Sequence, residues 1–336
     1  MSATVIRPRA PLLGPVMLRL VGLLTALLLA FGLLLGTRLF NGTALGSMAF
    51  QLPELGILSL AMMIPLLSGG LDLSIIATAD VAALAMGYVF THLGVGTTGV
   101  VAVGWHAIAL LAGVAVAGTI GLLNGAVIAY LRVSPILATL GSMTMVKGIA
   151  IGLTHGDVLS GFPDSIVFLG NGRVWGIPAA LLLFVVVAIP VAILLTRTPL
   201  GATIAMAGSN QEAVRYSGVD TRRVTLRIYL SSALLAAVAG LVMMARFNSA
   251  NASYGESYLL VTILAAVLGG IDPAGGFGRV GGLVMALIIL QLISTAANLL
   301  GISQFLTLAL WGAILLAVAG IGRLRDVLLP MLGRRR

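Results

Sequence analysis

A few polar side chains sit inside long apolar runs, and any chemistry in this chain would be done there. Asp72, Ser74, Asp80, Asn124, Thr139, Ser142, Lys147 and Asn298 all lie within or beside aliphatic stretches. Polar and ionisable groups are costly in hydrocarbon, so each is read first as functional. For Asn124, Thr139 and Ser142 taken singly, hydrogen bonding between packed helices is the simpler role. Asp72, Ser74, Asn124, Thr139, Ser142 and Asn298 taken together read as a shared polar path. Asp72 follows Gly69-Gly70, so its individual role is capping of the next helix.

These residues do not make an active site. His92, His106 and His155 are scattered and give no metal-ligand spacing. There is no Gly-x-x-x-x-Gly-Lys-Ser/Thr loop, and the glycine-rich turn at 275–282 contains no lysine. Cysteine is absent, which removes disulfides, thiolate metal sites and thiol nucleophiles. Asp72 and Asp80 stand two turns apart and form no paired-carboxylate site. The chain is expected to be no enzyme and to bind no cofactor itself.

The second informative stretch is the polar break from Leu200 to Tyr229. Ser209 is placed to cap a helix, with Glu212 three residues on reaching back in a capping box. Gly218 is placed to end that helix in the left-handed conformation. A helix of this length is unstable alone and needs a surface to dock on.

The elements around these residues are apolar. Of 336 residues, 60% are hydrophobic and 9% charged, with mean hydropathy +1.14, where a soluble domain carries roughly 25% charged residues. The expected fold is an all-α polytopic membrane protein with about ten transmembrane helices. The spans are expected at 16–37, 45–67, 75–93, 100–130, 135–153, 178–196, 227–247, 257–270, 280–298 and 303–320. The eighth is short for a crossing and is expected either to span or to be re-entrant. No cleavable signal peptide is expected. Residues 1–14 read as a tail, 15–322 as one transmembrane domain with a polar loop at 197–227, and 323–336 as a basic tail.

The net charge of +9 raises the question of nucleic acid. Its placement points instead to the inner membrane surface. Arg7, Arg9, Arg19, Arg132, Arg197, Arg215, Arg222, Arg223, Arg227, Arg279, Arg323, Arg325 and Arg334 to Arg336 fall on one side of the ten-span topology. Arg38, Arg173 and Arg246 fall on the other. This asymmetry places both termini and the 197–227 loop in the cytoplasm. The segments 154–177 and 248–256 then face outward. Leu67-Ser68-Gly69-Gly70-Leu71-Asp72 and Val267-Leu268-Gly269-Gly270-Ile271-Asp272 stand 200 residues apart, which suggests an internal repeat of the kind transporters use; chance is the competing explanation in so glycine-rich a chain.

Four blocks carry a family resemblance. They are Gly69-Gly70-Leu71-Asp72-Leu73-Ser74; Asn124-Gly125 with Pro135-Ile136 and Thr139-Leu140-Gly141-Ser142-Met143, ending at Gly148; Gly208-x-Asn210-x-Glu212-Ala213 with Ser217-Gly218-Val219; and 265–270 with Gly275-Gly276-x-Gly278 and Asn298-Leu299-Leu300-Gly301. In this order, over about residues 45–320, the chain resembles the permease subunit of bacterial ABC importers of the ribose/simple-sugar type. It departs from that pattern at Ile76, Val214 and Ile271-Asp272. The resemblance implies an inner-membrane importer subunit forming the path for a monosaccharide or related small polar solute. It implies a second permease copy or homologue, two ATP-binding subunits that use the ATP, and a periplasmic sugar-binding protein. Gly208, Ser209, Asn210, Glu212, Ala213, Ser217 and Gly218 would then couple the permease to its ATPase. The competing reading from the residues alone is a secondary transporter driven by an ion gradient, with Asp80 and Lys147 as its only hints.

Overall fold

The computed structural model describes residues 14–333. Arg7, Arg9 and Arg334 to Arg336 lie outside the described residues. Thirteen helices are described: α1 (Pro15–Leu35), α2 (Gly42–Leu67), α3 (Ile75–Tyr88), α4 (Gly99–Leu131), α5 (Pro135–Thr154), α6 (Asp164–Asn171), α7 (Ala179–Arg197), α8 (Pro199–Ser209), α9 (Gln211–Tyr216), α10 (Thr221–Phe247), α11 (Tyr258–Leu268), α12 (Val280–Leu299) and α13 (Gln304–Gly333). Eight of the apolar segments are long enough to cross a membrane, and α11 and residues 304–317 of α13 are shorter apolar helices. The chain is an all-α polytopic membrane protein.

Local sequence explains where the helices start. Side-chain oxygens of Asn41, Ser134 and Thr198 accept the first free N–H groups of α2, α5 and α8, and Pro135 and Pro199 follow at the first helical position. Asp220 accepts from the N–H groups of Arg222 and Arg223, so α10 begins at Thr221, six residues before the expected span. The basic turn Thr221–Arg223 therefore belongs to the helix and not to the loop.

Helix α2 is the most enclosed element. Ile57, Leu58, Leu60, Ala61, Met62 and Met63 have no exposure, and α10, α7, α11 and α12 surround it. Helix α10 crosses α2, α3 and α4. It comes so close to α3 that a Cβ on Gly240 would meet the Ala79 carbonyl at 2.2 Å. By contrast α4, α5 and α7 expose much of their apolar surface, as peripheral helices do in a lipid solvent. Helix α11 is about 16 Å long, about half a hydrocarbon core. It is covered by α2, α12 and α13, which is the condition for a short helix at that depth.

The two Gly-Gly segments end α2 and α11 with the same hydrogen-bond pattern, one residue out of register. Gly69 has φ +77°, with Gly70 N–H donating to the Pro65 carbonyl; Gly270 has φ +83°, with Ile271 N–H donating to the Ala266 carbonyl. Both are Schellman closures. The backbone correspondence therefore pairs Gly69 with Gly270, not with Gly269 as the letters suggest. The turn that follows the second closure touches the first, because Gly276 N–H donates to the Leu67 carbonyl at 2.8 Å.

One end of the molecule gathers the 68–74 break, the turn after α4, α8, α9 and the 269–279 turn. The opposite end gathers residues 155–178 and 248–257. There Leu159–Ser160 pairs antiparallel with Ser249–Ala250, and Asn248 accepts from the Phe162 N–H, so the two expected outward segments form one layer.

Candidate functional site

The polar loop folds as two helices, not one. Helix α8 was not expected, although the Thr198-Pro199 start signalled it. Ser209 is its last residue, and its hydroxyl donates to the Ala205 carbonyl at 3.2 Å. The cap of α9 is Asn210, whose Oδ1 accepts from the Ala213 N–H at 3.0 Å. This corrects the expected capping box by one residue and leaves Glu212 in the first turn as a favourable charge for the helix end. Ser217 closes α9 through its hydroxyl on the Val214 carbonyl at 2.8 Å, and Gly218 follows at φ +81°. Val214 is the buried residue of α9, while Glu212, Ala213, Arg215 and Tyr216 face outward, Tyr216 at 88% exposure.

Gly208 explains how this unit is seated. A Cβ there would meet the Leu67 carbonyl at 2.2 Å and the Gly276 nitrogen at 2.4 Å. A Cβ on Gly275 would meet Gly69 nitrogen at 2.5 Å and Gly208 Cα at 2.7 Å. Three backbones thus meet with no side chain between them: the end of α2, the end of α8 and the 269–279 turn. Only glycine allows that approach. A displacement of α8 therefore meets the closure of α2 and the 269–279 turn directly.

Behind this junction lies a closed polar network. Asp72 is 1% exposed. Its Oδ1 accepts from the Ser74 N–H at 3.0 Å and the Ser74 hydroxyl at 2.6 Å, and its Oδ2 accepts from the Ser232 hydroxyl at 2.9 Å. Asn124 donates to the Ser74 hydroxyl at 2.8 Å. Thr139 accepts from the Leu73 N–H at 3.1 Å, and its hydroxyl lies 2.8 Å from the Pro135 carbonyl and 3.3 Å from the Leu71 carbonyl. The network ties the break between α2 and α3 to α4, α5 and α10 and satisfies backbone groups that the break leaves without helical partners. Asp72 was expected to cap α3, but the cap position is Ser74 and no side chain among the described residues accepts from the helix's first N–H groups; Asp72 instead holds Ser74 in a local turn just ahead of the helix. Ser142 joins only through the Thr139 carbonyl of its own helix, and Asn298 is exposed near the far end of α12, apart from the network. Ser232 was not singled out in the sequence, although a serine in an apolar span is a visible signal.

At the opposite end the polar groups are ion pairs. Glu54, 2% exposed, accepts from Arg246 and from the Tyr258 hydroxyl, joining α2, α10 and α11. Lys147 donates to Glu256, and Asp80 accepts from the Gly255 N–H at 3.4 Å. The Lys147 ammonium holds the Glu256 carboxyl below the usual carboxylate range. Among the described residues no group of histidines and carboxylates is placed to hold a metal ion.

A family model described as the permease component of branched-chain amino acid transport systems matches residues 44–319. The chain belongs to this permease family. The permease is similar to the ribose import permease protein RbsC of Bacillus subtilis, 33% identical over 270 residues and covering 80% of this chain and 81% of that one. It is similar to the autoinducer 2 import system permease protein LsrD of Salmonella typhi, 29% identical with 94% and 95% covered. LsrD of Yersinia enterocolitica is 29% identical with 84% and 85% covered. No solved structure gives a significant match. The permease is thus a multi-pass transport component of a bacterial inner membrane and not an enzyme.

Proposed function

We propose that this permease is the membrane-spanning subunit of an ATP-driven importer of a monosaccharide or related small polar solute. The observation that carries the reading is the α8–α9 unit. A short, doubly capped helix projects Tyr216, Arg215 and Glu212 outward, and its base rests on the backbone closure of α2 and on the 269–279 turn. Such a unit transmits a push from a partner without absorbing it in side-chain rearrangement. The import permeases of ribose and autoinducer 2 among its relatives favour a sugar-like solute.

On this reading residues 208–218 contact an ATP-binding subunit, which uses the ATP; the permease itself binds no cofactor. The arginine-rich end is cytoplasmic, with both termini, and the layer built from residues 155–178 and 248–257 receives a periplasmic sugar-binding protein. A second permease copy or homologue completes the path. Asp72, Ser74, Asn124 and Thr139 then act on the path from behind, by fixing the break between α2 and α3 that borders it. Ser142 and Asn298 are left as wall residues at different depths. ATP-driven closure of the partner shifts the permease between two states by its differential contact with α9.

The test is reconstitution of the permease with its ATPase and binding protein in liposomes, followed by uptake of labelled ribose and related sugars. Uptake that requires ATP and the binding protein is expected. Uptake driven by a proton or sodium gradient without ATP would overturn the reading.

A further inference from the structure

Beyond Ser249–Ala250 the chain leaves the layer opposite α9 and turns into the helix bundle. Helix α3 ends at Tyr88 beside that layer, where a Cβ on Gly87 would meet the Phe162 ring at 3.1 Å. Gly255 N–H donates to Asp80 Oδ2 at 3.4 Å, and a Cβ on Gly255 would meet the Ile76 side chain at 2.7 Å. Asp80 and Ile76 stand eight and twelve residues before Tyr88, so Gly255 lies about 12–18 Å inside that end of the helix. Helix α11 starts just after it, at Tyr258, and covers only about 16 Å of the crossing. The remainder is irregular backbone at membrane depth, which is stable only where protein covers it or water reaches it.

The exposed side chains decide between the two. Within 251–257 the exposed residues are Ser253, Glu256 and Ser257, all polar. Glu256 is paired with Lys147 of α5, yet its side chain remains 53% exposed. Lys147 stands seven residues before Thr154, the last residue of α5, about 10 Å inside the helix end. So open an ion pair is costly against hydrocarbon. At similar depth α7 exposes Val185, Val186 and Ile189, the side chains a lipid-facing helix presents.

We propose that Lys147, Ser253, Glu256 and Ser257 form one wall of a water-filled path and there contact a neutral, hydroxyl-bearing solute. The ammonium donates hydrogen bonds, the carboxylate accepts them and the two serines do both, which matches a solute whose hydroxyls also do both. The two charges cancel, so the wall offers a charged solute no net attraction. That water reaches this face follows from the exposed groups and their depth; that the solute is imported along it rests on the proposed function.

The experiment uses the absence of native cysteine. Ser257→Cys and, as the lipid-facing reference, Val186→Cys are made in the full-length permease. Both are treated with an anionic thiosulfonate in native membranes opened by freeze–thaw, so that the reagent reaches both sides. A thiol reacts as its thiolate, which forms in water and not in hydrocarbon, so Ser257→Cys should react at least about tenfold faster than Val186→Cys. If Ser257→Cys fails to accumulate in the membrane, Ser253→Cys takes its place with the same expectation. The modified variant, reconstituted with the ATPase and binding protein, should then lose most of its ribose uptake, while the cysteine-free parent given the same treatment keeps it. Equally slow reaction at both positions would overturn the proposal, because lipid or protein then covers the segment. Fast reaction with ribose uptake unchanged would overturn it too, because the water-filled face is then not the path. The labelling needs neither ATP nor transport. Fast labelling of a permease that takes up no ribose even unmodified would support the aqueous wall and count against the importer reading alone.

Discussion

The two ends of the permease are held together by opposite means. At the α9 end, the closures of α2 and α8 and the 269–279 turn meet backbone to backbone through Gly69, Gly208 and Gly275. At the other end, α2, α10 and α11 meet through Glu54, Arg246 and Tyr258, and α5 meets the 248–257 segment through Lys147 and Glu256. A glycine junction has no side chains to repack, so it moves as one body. Ion pairs are discrete and can be broken and remade one at a time. The first arrangement suits transmission of a displacement, and the second suits a surface whose parts separate in another state.

That contrast can be broken at each end. The largest effect is expected from Arg246→Ala, which leaves Glu54 buried without its cation; removing one partner of a buried pair costs about 3–5 kcal/mol. Thermal melting in detergent should fall steeply, and Glu54→Gln combined with Arg246→Ala should recover part of the loss. No recovery would mean that the arginine acts by packing alone. Gly208→Val comes next. With backbone atoms within 2.4 Å of its Cβ the junction must open, a cost of about 1–3 kcal/mol or more. Uptake should be lost out of proportion to stability; loss of both in step would reduce the junction to simple packing.

A smaller effect separates two neighbouring residues. Asn210→Ala should cost α9 about 0.5–2 kcal/mol through its cap, and Ser209→Ala much less. ATPase pull-down by the two variants checks this, and the reverse order would restore Ser209 as the cap. The smallest effect belongs to pH. Lys147 depresses the Glu256 carboxyl, so the link is present at neutral pH and is lost as pH falls through its lowered titration, below the usual carboxylate range. Hydrogen exchange in residues 248–257 should then rise, and Lys147→Met should remove the pH response. Glu256 is largely exposed, so solvent screens the pair and the change is modest.

Much of this was legible from residue types. Every expected span has its helix, because a long apolar run has few alternatives in lipid to satisfying its backbone within a helix. The positive φ of Gly218 follows from a local rule, and Asp72, Ser74, Asn124 and Thr139 gather around one break as polar groups in an apolar chain must; Asp72 as a cap of α3 did not hold. The illegible parts depend on partners distant in sequence. Ser209 and Asn210 are both good caps, and only the existence of α8 decides between them. Lys147 finds Glu256 across 109 positions and Arg246 finds Glu54 across 192, distances at which spacing carries no signal. The one-residue offset between the two glycine closures is hidden because identical letters in the two segments align the wrong pair.

The central claim is that α9 is the contact with an ATPase on the cytoplasmic side. The chain contains no cysteine, so an introduced thiol is unique. Tyr216→Cys on α9 and Trp175→Cys, in the turn between the antiparallel pair Arg173–Val174 and Ile177–Pro178 at the opposite end, replace side chains that are 88% and 94% exposed. Labelling by a membrane-impermeant maleimide should reach Trp175→Cys in intact cells and Tyr216→Cys only in inverted vesicles. Co-expression of the ATPase should protect Tyr216→Cys and leave Trp175→Cys unchanged. Equal labelling of Tyr216→Cys with and without the ATPase, or its labelling from outside, would contradict the account.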